Sequence, residues 1–337
     1  MASNAAINCS LINFSSKNHQ LILTSLPIPH YRYGSSTVRF QRNCFSLRAS
    51  KSYHSPIIRA DSSSSSSSVK REPMLPPYNV LITGSTKGIG YALAKEFLKA
   101  GDNVIICSRS VKFLHAFLSS SVIAVLLFTA ERVDSAVQSL REEFGEQHVW
   151  INNAGSNAYS YKPLAETSDE DLLEVITTNS LGLMICCREA MKMMREQPRG
   201  GHIFNIDGAG SDGRPTPRFA AYGATKRSVV HLTKSLQAEL QMQDVKNVVV
   251  HNLSPGMVTT DLLMSGATTK QAKFFINVLA EPADVVAECL VPKIRSIAAS
   301  GSTKPTYLRF LTGVKAYSQI FSRIAFGARR NRYILED

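Results

Sequence analysis

The chain has 337 residues, 44% hydrophobic and 19% charged, enough apolar side chain to bury a large core; a disordered chain and a disulfide-stapled miniprotein are excluded. Its six cysteines (Cys9, Cys44, Cys107, Cys186, Cys187, Cys289) fall at no CxxC or Cys/His spacing, so no metal site and no secreted disulfide framework is expected. One tryptophan and a mean hydropathy near zero argue against a polytopic membrane protein.

The net charge of +12 is concentrated at the N-terminus: residues 1–60 hold no Asp or Glu and seven basic residues, Lys17, Arg32, Arg39, Arg42, Arg48, Lys51 and Arg59. A Met-Ala start, abundant serine and no acid are the composition of an organelle transit peptide, plastid in preference to mitochondrial. An untargeted disordered arm is the alternative. Residues 61–76, with seven consecutive serines at 62–68, read as a flexible linker.

The folded part follows. An apolar burst at 79–82, a glycine-rich turn, an amphipathic stretch at 89–98 and a second strand at 103–107 make one βαβ unit, with Gly101 and Asp102 separating helix from strand. Further strand-like runs at 149–151, 202–206 and 248–253 alternate with helical patterns at 169–195 and 221–242. Such alternation predicts an α/β fold, a doubly wound parallel sheet of Rossmann type, forming a single domain over residues 77–292.

The turn reads Thr83-Gly84-Ser85-Thr86-Lys87-Gly88-Ile89-Gly90. Its glycines would let the backbone approach a pyrophosphate, and the N–H groups opening the next helix would face its charge. A glycine turn also caps ordinary helices; the position directly after the first strand favours the cofactor reading, and Thr83, Gly84, Ser85, Lys87, Gly88, Ile89 and Gly90 are the residues expected to line it. No Gly-Lys-Ser/Thr ends it, so it is not a Walker loop. After the second strand stand Ser108 and Arg109, with no acid to hold the ribose of NAD. Arg109 and Lys87 suit the extra phosphate of NADP, so NADPH is expected, with NADH left open.

Tyr222 and Lys226 lie four residues apart, on one helical face. A phenol of pKa near 10 needs a reduction of about three units, roughly 4 kcal/mol, to ionise at neutral pH. The Lys226 ammonium beside a nicotinamide is expected to supply it. The phenol would then give a proton to a carbonyl oxygen while hydride reaches carbon. Alone, Tyr-x-x-x-Lys occurs by chance in many helices.

The combination is more specific. The turn at 83–90, Asn152-Asn153-Ala154-Gly155, Asn179 within Thr178-Asn179-Ser180, Tyr222-x-x-x-Lys226 and Ser254-Pro255-Gly256 follow in the order and approximate spacing of short-chain dehydrogenase/reductases. The resemblance covers residues 78–260. It implies a Rossmann sheet of about seven strands, with Asn153, Ala154 and Gly155 beside the cofactor and Pro255 and Gly256 bounding the nicotinamide pocket. It also implies a tetrad of Asn, Ser, Tyr and Lys, in which Asn179, Tyr222 and Lys226 take three places and the asparagine anchors a water in a proton relay. The serine departs from the pattern: thirteen residues before the tyrosine stands Ala209. Ser211 is the nearest hydroxyl and the candidate, Asp207 or a backbone N–H could substitute, and a plain turn role for Ser211 is the alternative.

Within that family, residues 203–213 and 150–161 resemble the plastid chlorophyll(ide) b reductases of the shorter, non-yellow-coloring-like type. That resemblance implies NADPH-dependent reduction of the 7-formyl group of chlorophyll b or chlorophyllide b to hydroxymethyl, in chlorophyll b degradation in the chloroplast. Another plastid carbonyl or ketoacyl reductase, or a catalytically weak partner subunit, remain as alternatives. A homo-oligomer and a complex with a related reductase are both open.

Residues 111–130 are apolar where a charged crossover helix is expected. Family members carry a third strand ending in an Asp that holds the adenine, about 26 residues before the Asn-Asn-Ala-Gly motif; that place is Leu126 here. Either 122–128 is the third strand and 131–144 the following helix, or altered splicing or a mispredicted gene replaced a strand-helix pair. Both readings expect weakened adenine binding. Lys112, His115 and three consecutive serines leave too short an apolar run for a transmembrane helix.

Residues 293–337 form the last unit, a basic extension. Between 293 and 332 lie nine Lys/Arg and no acid, while Phe310, Leu311, Val314, Tyr317, Ile320, Phe321 and Ile324 recur at helical spacing. Such a face suits an anionic membrane surface, with the stromal side of the thylakoid as the expected peripheral site, or an acidic partner helix. A final core helix with solvated arginines is the alternative. No recognised nucleic-acid-binding fold accompanies it, so nucleic acid is not an expected partner.

Overall fold

The computed structural model describes residues 73–107 and 145–336, and the strand backbones at 10–14, 21–25, 108 and 122–126. In chain order the strands are β1 (Ser10–Phe14), β2 (Leu21–Ser25), β3 (Asn79–Thr83), β4 (Asn103–Ser108), β5 (Val122–Leu126), β6 (Val149–Asn152), β7 (Gly201–Ile206), β8 (Val248–Ser254) and β9 (Tyr307–Arg309). They form one sheet in the order β2-β1-β5-β4-β3-β6-β7-β8-β9, with β3 to β9 parallel. This is the doubly wound α/β sheet, with the direction of winding reversing between β3 and β6.

Strands β3, β6 and β7 are buried at every residue, as parallel strands covered on both faces must be. One face packs Leu93 and Phe97 of α1 (Gly88–Lys99) against Leu290 and Ile294 of a late helix, Ala283–Ala299. The other face packs Trp150 against Met193 and Met194 of the helix Gly182–Arg195 and Leu240 of the helix Ala220–Met242. These two cores fix the carboxyl ends of β3, β6, β7 and β8 side by side, where ligands bind in such sheets.

Four features differ from the sequence expectation or refine it. Strand β5 occupies the third-strand place, with Ser108 opposite Leu126, so the chain takes up the first of the two readings of that segment. The helix expected at 131–144 lies outside the described residues. The leader contributes β1 and β2, an antiparallel pair that joins the edge of β5 through Ile12 and Ala124; its apolar runs Leu11-Ile12 and Leu21-Ile22-Leu23 suit strands, and an open edge offers them backbone partners. At the other end, the expected boundary at 292/293 cuts through the helix Ala283–Ala299, and β9 beyond it pairs with β8. The extension is therefore part of the sheet up to Arg309.

The long helical pattern at 169–195 is not one regular helix. It comprises α2 (Asp169–Ile176), a π turn at Thr177–Leu181 and α3 (Gly182–Arg195). Ser168 caps α2 by accepting from the Asp171 N–H, and Asp169, Glu170 and Asp171 complement its dipole. The remaining helices are α4 (Ala220–Met242), α5 (Asp261–Met264), α6 (Lys270–Leu279), α7 (Ala283–Ala299) and α8 (Gly313–Phe326).

Candidate active site

The glycine turn is tied to the strand ends by its own side chains. Gly84 and Gly88 take φ of +63° and +58°, backbone that favours glycine. A Cβ on Gly84 would stand 2.8 Å from the Ala154 Cα, so the turn and the Asn152–Gly155 segment close against each other. The Thr83 hydroxyl accepts from the N–H groups of Asn153 and Ala154, both at 3.0 Å. The Asn153 amide donates to the carbonyls of Thr83 and Gly84, both at 2.9 Å. Thr83, Gly84, Gly90, Asn153 and Ala154 thus converge, and Ile89 packs its side chain against the apolar core.

Two of the expected cofactor residues are used differently. The Ser85 hydroxyl is fully buried, donating to the Ile82 carbonyl (2.8 Å) and accepting from the Cys107 N–H (3.0 Å), so it fastens the turn to β4. The Lys87 ammonium donates to the Tyr159 hydroxyl and lies 4.9 Å from that ring's centre. The side chain of Ser108 and all of Arg109 lie outside the described residues.

The N-terminus of α1 has no side-chain cap and no acid in its first turn. Uncapped N–H groups at a helix start, preceded by two glycines of positive φ, form a cradle for an anion, and a pyrophosphate fits it. Gly84, Gly88 and the α1 N-terminus are the groups that would hold a dinucleotide's pyrophosphate.

Asn179 sits in the π turn, 2% exposed. Its Oδ1 accepts from the Ser156 N–H at 2.8 Å, and its Nδ2 donates to the Ser156 carbonyl (2.8 Å) and to the Thr225 hydroxyl (3.0 Å). The bulged turn aims this side chain at the loop after Gly155 and at α4 together. A Cβ on Gly155 would lie 3.4 Å from Lys226 Nζ and 3.5 Å from Asn179 Oδ1, which brings Asn179, Lys226 and Gly155 to one place.

On α4, Tyr222 is half-buried and Lys226 is 5% exposed. Lys226 Nζ donates to the Ile206 carbonyl at 3.2 Å and lies 5.7 Å from the Tyr222 ring centre. Burial pulls the ammonium down to about 8, against the opposing effect of Asp207. Burial pushes the Tyr222 phenol up, and the Asp207 carboxylate adds to the rise. In the protein alone, desolvation first and the Asp207 carboxylate second hold the phenol above its ordinary value, whereas the expected acidification counts on a nicotinamide beside Lys226. A protonated phenol is the form that gives a proton away.

At the serine place, a Cβ on Gly208 would stand 2.6 Å from the Tyr222 hydroxyl, so Gly208 faces the phenol, while Ala209 is exposed. Ser211 sits in a turn: its N–H donates to the Gly208 carbonyl at 3.1 Å, and its own carbonyl accepts from Arg227 at 2.7 Å. Its hydroxyl lies toward Asp207. Gly256 takes φ of +73° and Pro255 is buried beside it at the end of β8.

Sequence reasoning did not find Tyr307, whose hydroxyl donates to Asp207 Oδ2, nor Thr225, which receives Asn179. Thr225 lay inside the Tyr-x-x-x-Lys segment; Tyr307 comes from β9, and no local pattern links it to the site. Phe219 and Tyr161, with ring centres 4.7 Å apart, extend an aromatic wall from Tyr222, whose ring is 6.2 Å from that of Phe219.

A glycine cradle at the switch point and a Tyr-Lys-Asn cluster at the ends of the next strands define a nicotinamide-dependent oxidoreductase. The chain belongs to the short chain dehydrogenase family, whose pattern matches residues 78–271. Over 296 residues, 80% of each chain, it is 72% identical to the chloroplastic chlorophyll(ide) b reductase NOL of Arabidopsis thaliana. Over 297 residues it is 71% identical to the protein of the same name from Oryza sativa subsp. japonica, covering 80% of this chain and 81% of that one. Among solved structures it resembles a 3-ketoacyl-(acyl-carrier-protein) reductase from Brucella melitensis complexed with NADH, with a TM-score of 0.58, 26% identity and coverage of 71% of this chain and 98% of that one.

Proposed function

We propose that this protein reduces the 7-formyl group of chlorophyll b or chlorophyllide b to hydroxymethyl, with NADPH as cofactor, in the chloroplast. The observation that carries the reading is the cluster of Tyr222, Lys226 and Asn179 around Gly155 and Gly208, in a chain 72% identical to a chlorophyll(ide) b reductase. When bound, NADPH supplies the hydride that becomes the new C–H bond. Tyr222 donates its proton to the formyl oxygen, so the C=O bond becomes C–H and O–H. Lys226 holds positive charge beside the resulting phenolate, and Asn179 fixes the loop through which the proton is restored. The half-buried rings of Phe219 and Tyr161, tilted 58° to each other, offer aromatic contacts for a macrocycle. Arg109 is the cation assigned to the extra phosphate, with Lys87 a second if it leaves Tyr159.

Peripheral contact with the stromal side of the thylakoid is the proposed site of action. Among the described residues no helix is long and apolar enough to cross a membrane. The support is α8, which leaves Val314, Tyr317, Phe321, Ile324 and Phe326 exposed. The same face suits a second copy or a related reductase. The direct test is incubation of the purified full chain with chlorophyllide b and either NADPH or NADH, with pigment chromatography. Formation of 7-hydroxymethyl chlorophyllide a, faster with NADPH, is expected; turnover of a ketoacyl substrate but not of the pigment would overturn the substrate.

A further inference from the structure

Residues 257–281 leave the sheet after Gly256 and are closed at their base by Glu281. Its N–H donates to the Met257 carbonyl at 3.0 Å, and its carbonyl accepts from the Thr259 N–H at 3.0 Å. Between those ends the segment meets the cleft at three places. A Cβ on Gly88 would stand 3.2 Å from Thr260 Cγ2, so Thr260 lies against the glycine turn. Asn157 Nδ2 donates to the Leu262 carbonyl at 3.1 Å and to the Ser265 hydroxyl at 3.3 Å, which ties α5 to the loop after Gly155. A Cβ on Gly266 would meet the tip of the Phe219 ring at 2.7 Å. The segment thus reaches from the glycine turn to the aromatic wall beside Tyr222.

The last residues of the chain grip this segment at α6 and at its base. Asn277 of α6 is fully buried and uses its whole hydrogen-bonding capacity on them. Its Oδ1 accepts from the N–H groups of Tyr333 (2.7 Å) and Ile334 (3.1 Å), and its Nδ2 donates to the Ile334 carbonyl (2.6 Å) and to Glu336 Oε1 (2.8 Å). Arg329 and Arg332 donate to the two carboxylate oxygens of Glu281 at 2.6 and 2.9 Å, and Arg323 donates to Glu336. Asn277 and all of these partners lie beyond residue 271, where the match to the family pattern ends.

We infer that Asn277 is a positioning residue for pigment binding: through it, residues 329–336 strap the segment 257–281 in the place where it meets the cleft. Truncating Asn277 would strand two N–H groups and a carbonyl of the tail, so the strap depends on that one side chain. A segment held in its binding shape beforehand needs no ordering when the pigment arrives. Loosening it lowers the competent fraction and weakens apparent affinity by that fraction, while the bound complex stays as it was. The signature is a raised KM with kcat kept.

The inference rests on chlorophyllide b as substrate, and its test has one arm that needs no pigment. Hydrogen exchange is followed by mass spectrometry in the full chain and in Asn277→Ala, Arg329→Gln/Arg332→Gln and Arg329→Lys/Arg332→Lys, beside steady-state kinetics with chlorophyllide b and NADPH. In Asn277→Ala the amides of residues 261–279 should exchange faster by about tenfold, with those of β7 and β8 unchanged. Its KM for the pigment should rise by about threefold or more, with kcat within about twofold of wild type. The glutamine pair should move both readings the same way, and the lysine pair, which keeps the charges on Glu281, should restore them. If Asn277→Ala fails to accumulate, the two arginine pairs carry the comparison. Exchange that rises equally in β7 and β8, or a KM that stays at the wild-type value while residues 261–279 exchange faster, overturns the inference. A wild-type chain that does not turn over the pigment would instead remove the substrate reading, and the exchange arm would still decide whether the strap holds the segment.

Discussion

The two ends of the cleft are built to different standards. Beneath the nicotinamide end, β6, β7 and α4 are cross-linked by polar side chains: Trp150 donates to Asn152, Asn152 to Asn205 at 2.8 Å, and Asn205 to Thr233 at 2.9 Å. At the adenine end, β5 finishes on Leu126 opposite Ser108, without the carboxylate that the family resemblance places there. Chemistry demands sub-ångström placement of a proton donor, whereas cofactor grip can be spread over many contacts. The difference teaches that the proton-donor end is fixed by a polar cross-link between strands and helix, while the last residue of β5 brings a leucine, not a carboxylate, to the other end.

The largest expected effect tests the tight end. Gly208→Ala puts a methyl 2.6 Å from the Tyr222 hydroxyl and must displace the phenol. We expect kcat for chlorophyllide b to fall by about 100-fold with NADPH affinity nearly unchanged, since misplacement of the donor by about 1 Å costs that much. Steady-state kinetics with fluorescence titration of NADPH would show it. A smaller effect is expected at the loose end. Leu126→Asp restores a carboxylate at the third strand's last residue and should tighten NADPH binding by up to about tenfold, one hydrogen bond's worth. Weaker binding would mean that the adenine is held elsewhere.

The last effect is on stability and concerns neither end but the tail. Burial alone would raise Glu281, but hydrogen bonds and charge from Arg332 and Arg329 outweigh it and hold the carboxyl below its ordinary range. A carboxyl depressed on folding stabilises above its unfolded value and loses that contribution as pH falls through its folded value. Glu281→Gln should therefore cost about 1–2 kcal/mol at neutral pH, part of the pair being solvent-screened. The two proteins should converge in acid, which urea melts at two pH values would measure.

Much of the sheet was readable in advance because parallel strands advertise themselves as short apolar runs: 79–82, 149–151, 202–206 and 248–253 all became strands within a residue or two. Asn179, Tyr222 and Lys226 were readable because their spacing is fixed by a helix face and a motif order. What escaped has long-range causes. The π turn at Thr177–Leu181 is a defect of one hydrogen bond in an otherwise uniform helical pattern. The rise of the Tyr222 phenol comes first from tertiary burial, with Asp207 at the end of β7 adding to it, and neither is visible in local sequence. Tyr307 reaches Asp207 only because β9 pairs with Asn252, Leu253 and Ser254. Ser85 and Lys87 carried the right residue types in the right turn, yet the Ile82 carbonyl and Tyr159 claimed their side chains.

The central claim is that a protonated Tyr222 delivers the proton to the formyl oxygen, and it is tested most directly by single-turnover reduction of chlorophyllide b in Tyr222→Phe. The prediction is a fall in rate of about 10²–10⁴-fold with NADPH still bound at the wild-type affinity. A variant that forms the hydroxymethyl pigment as fast as the wild type would contradict it.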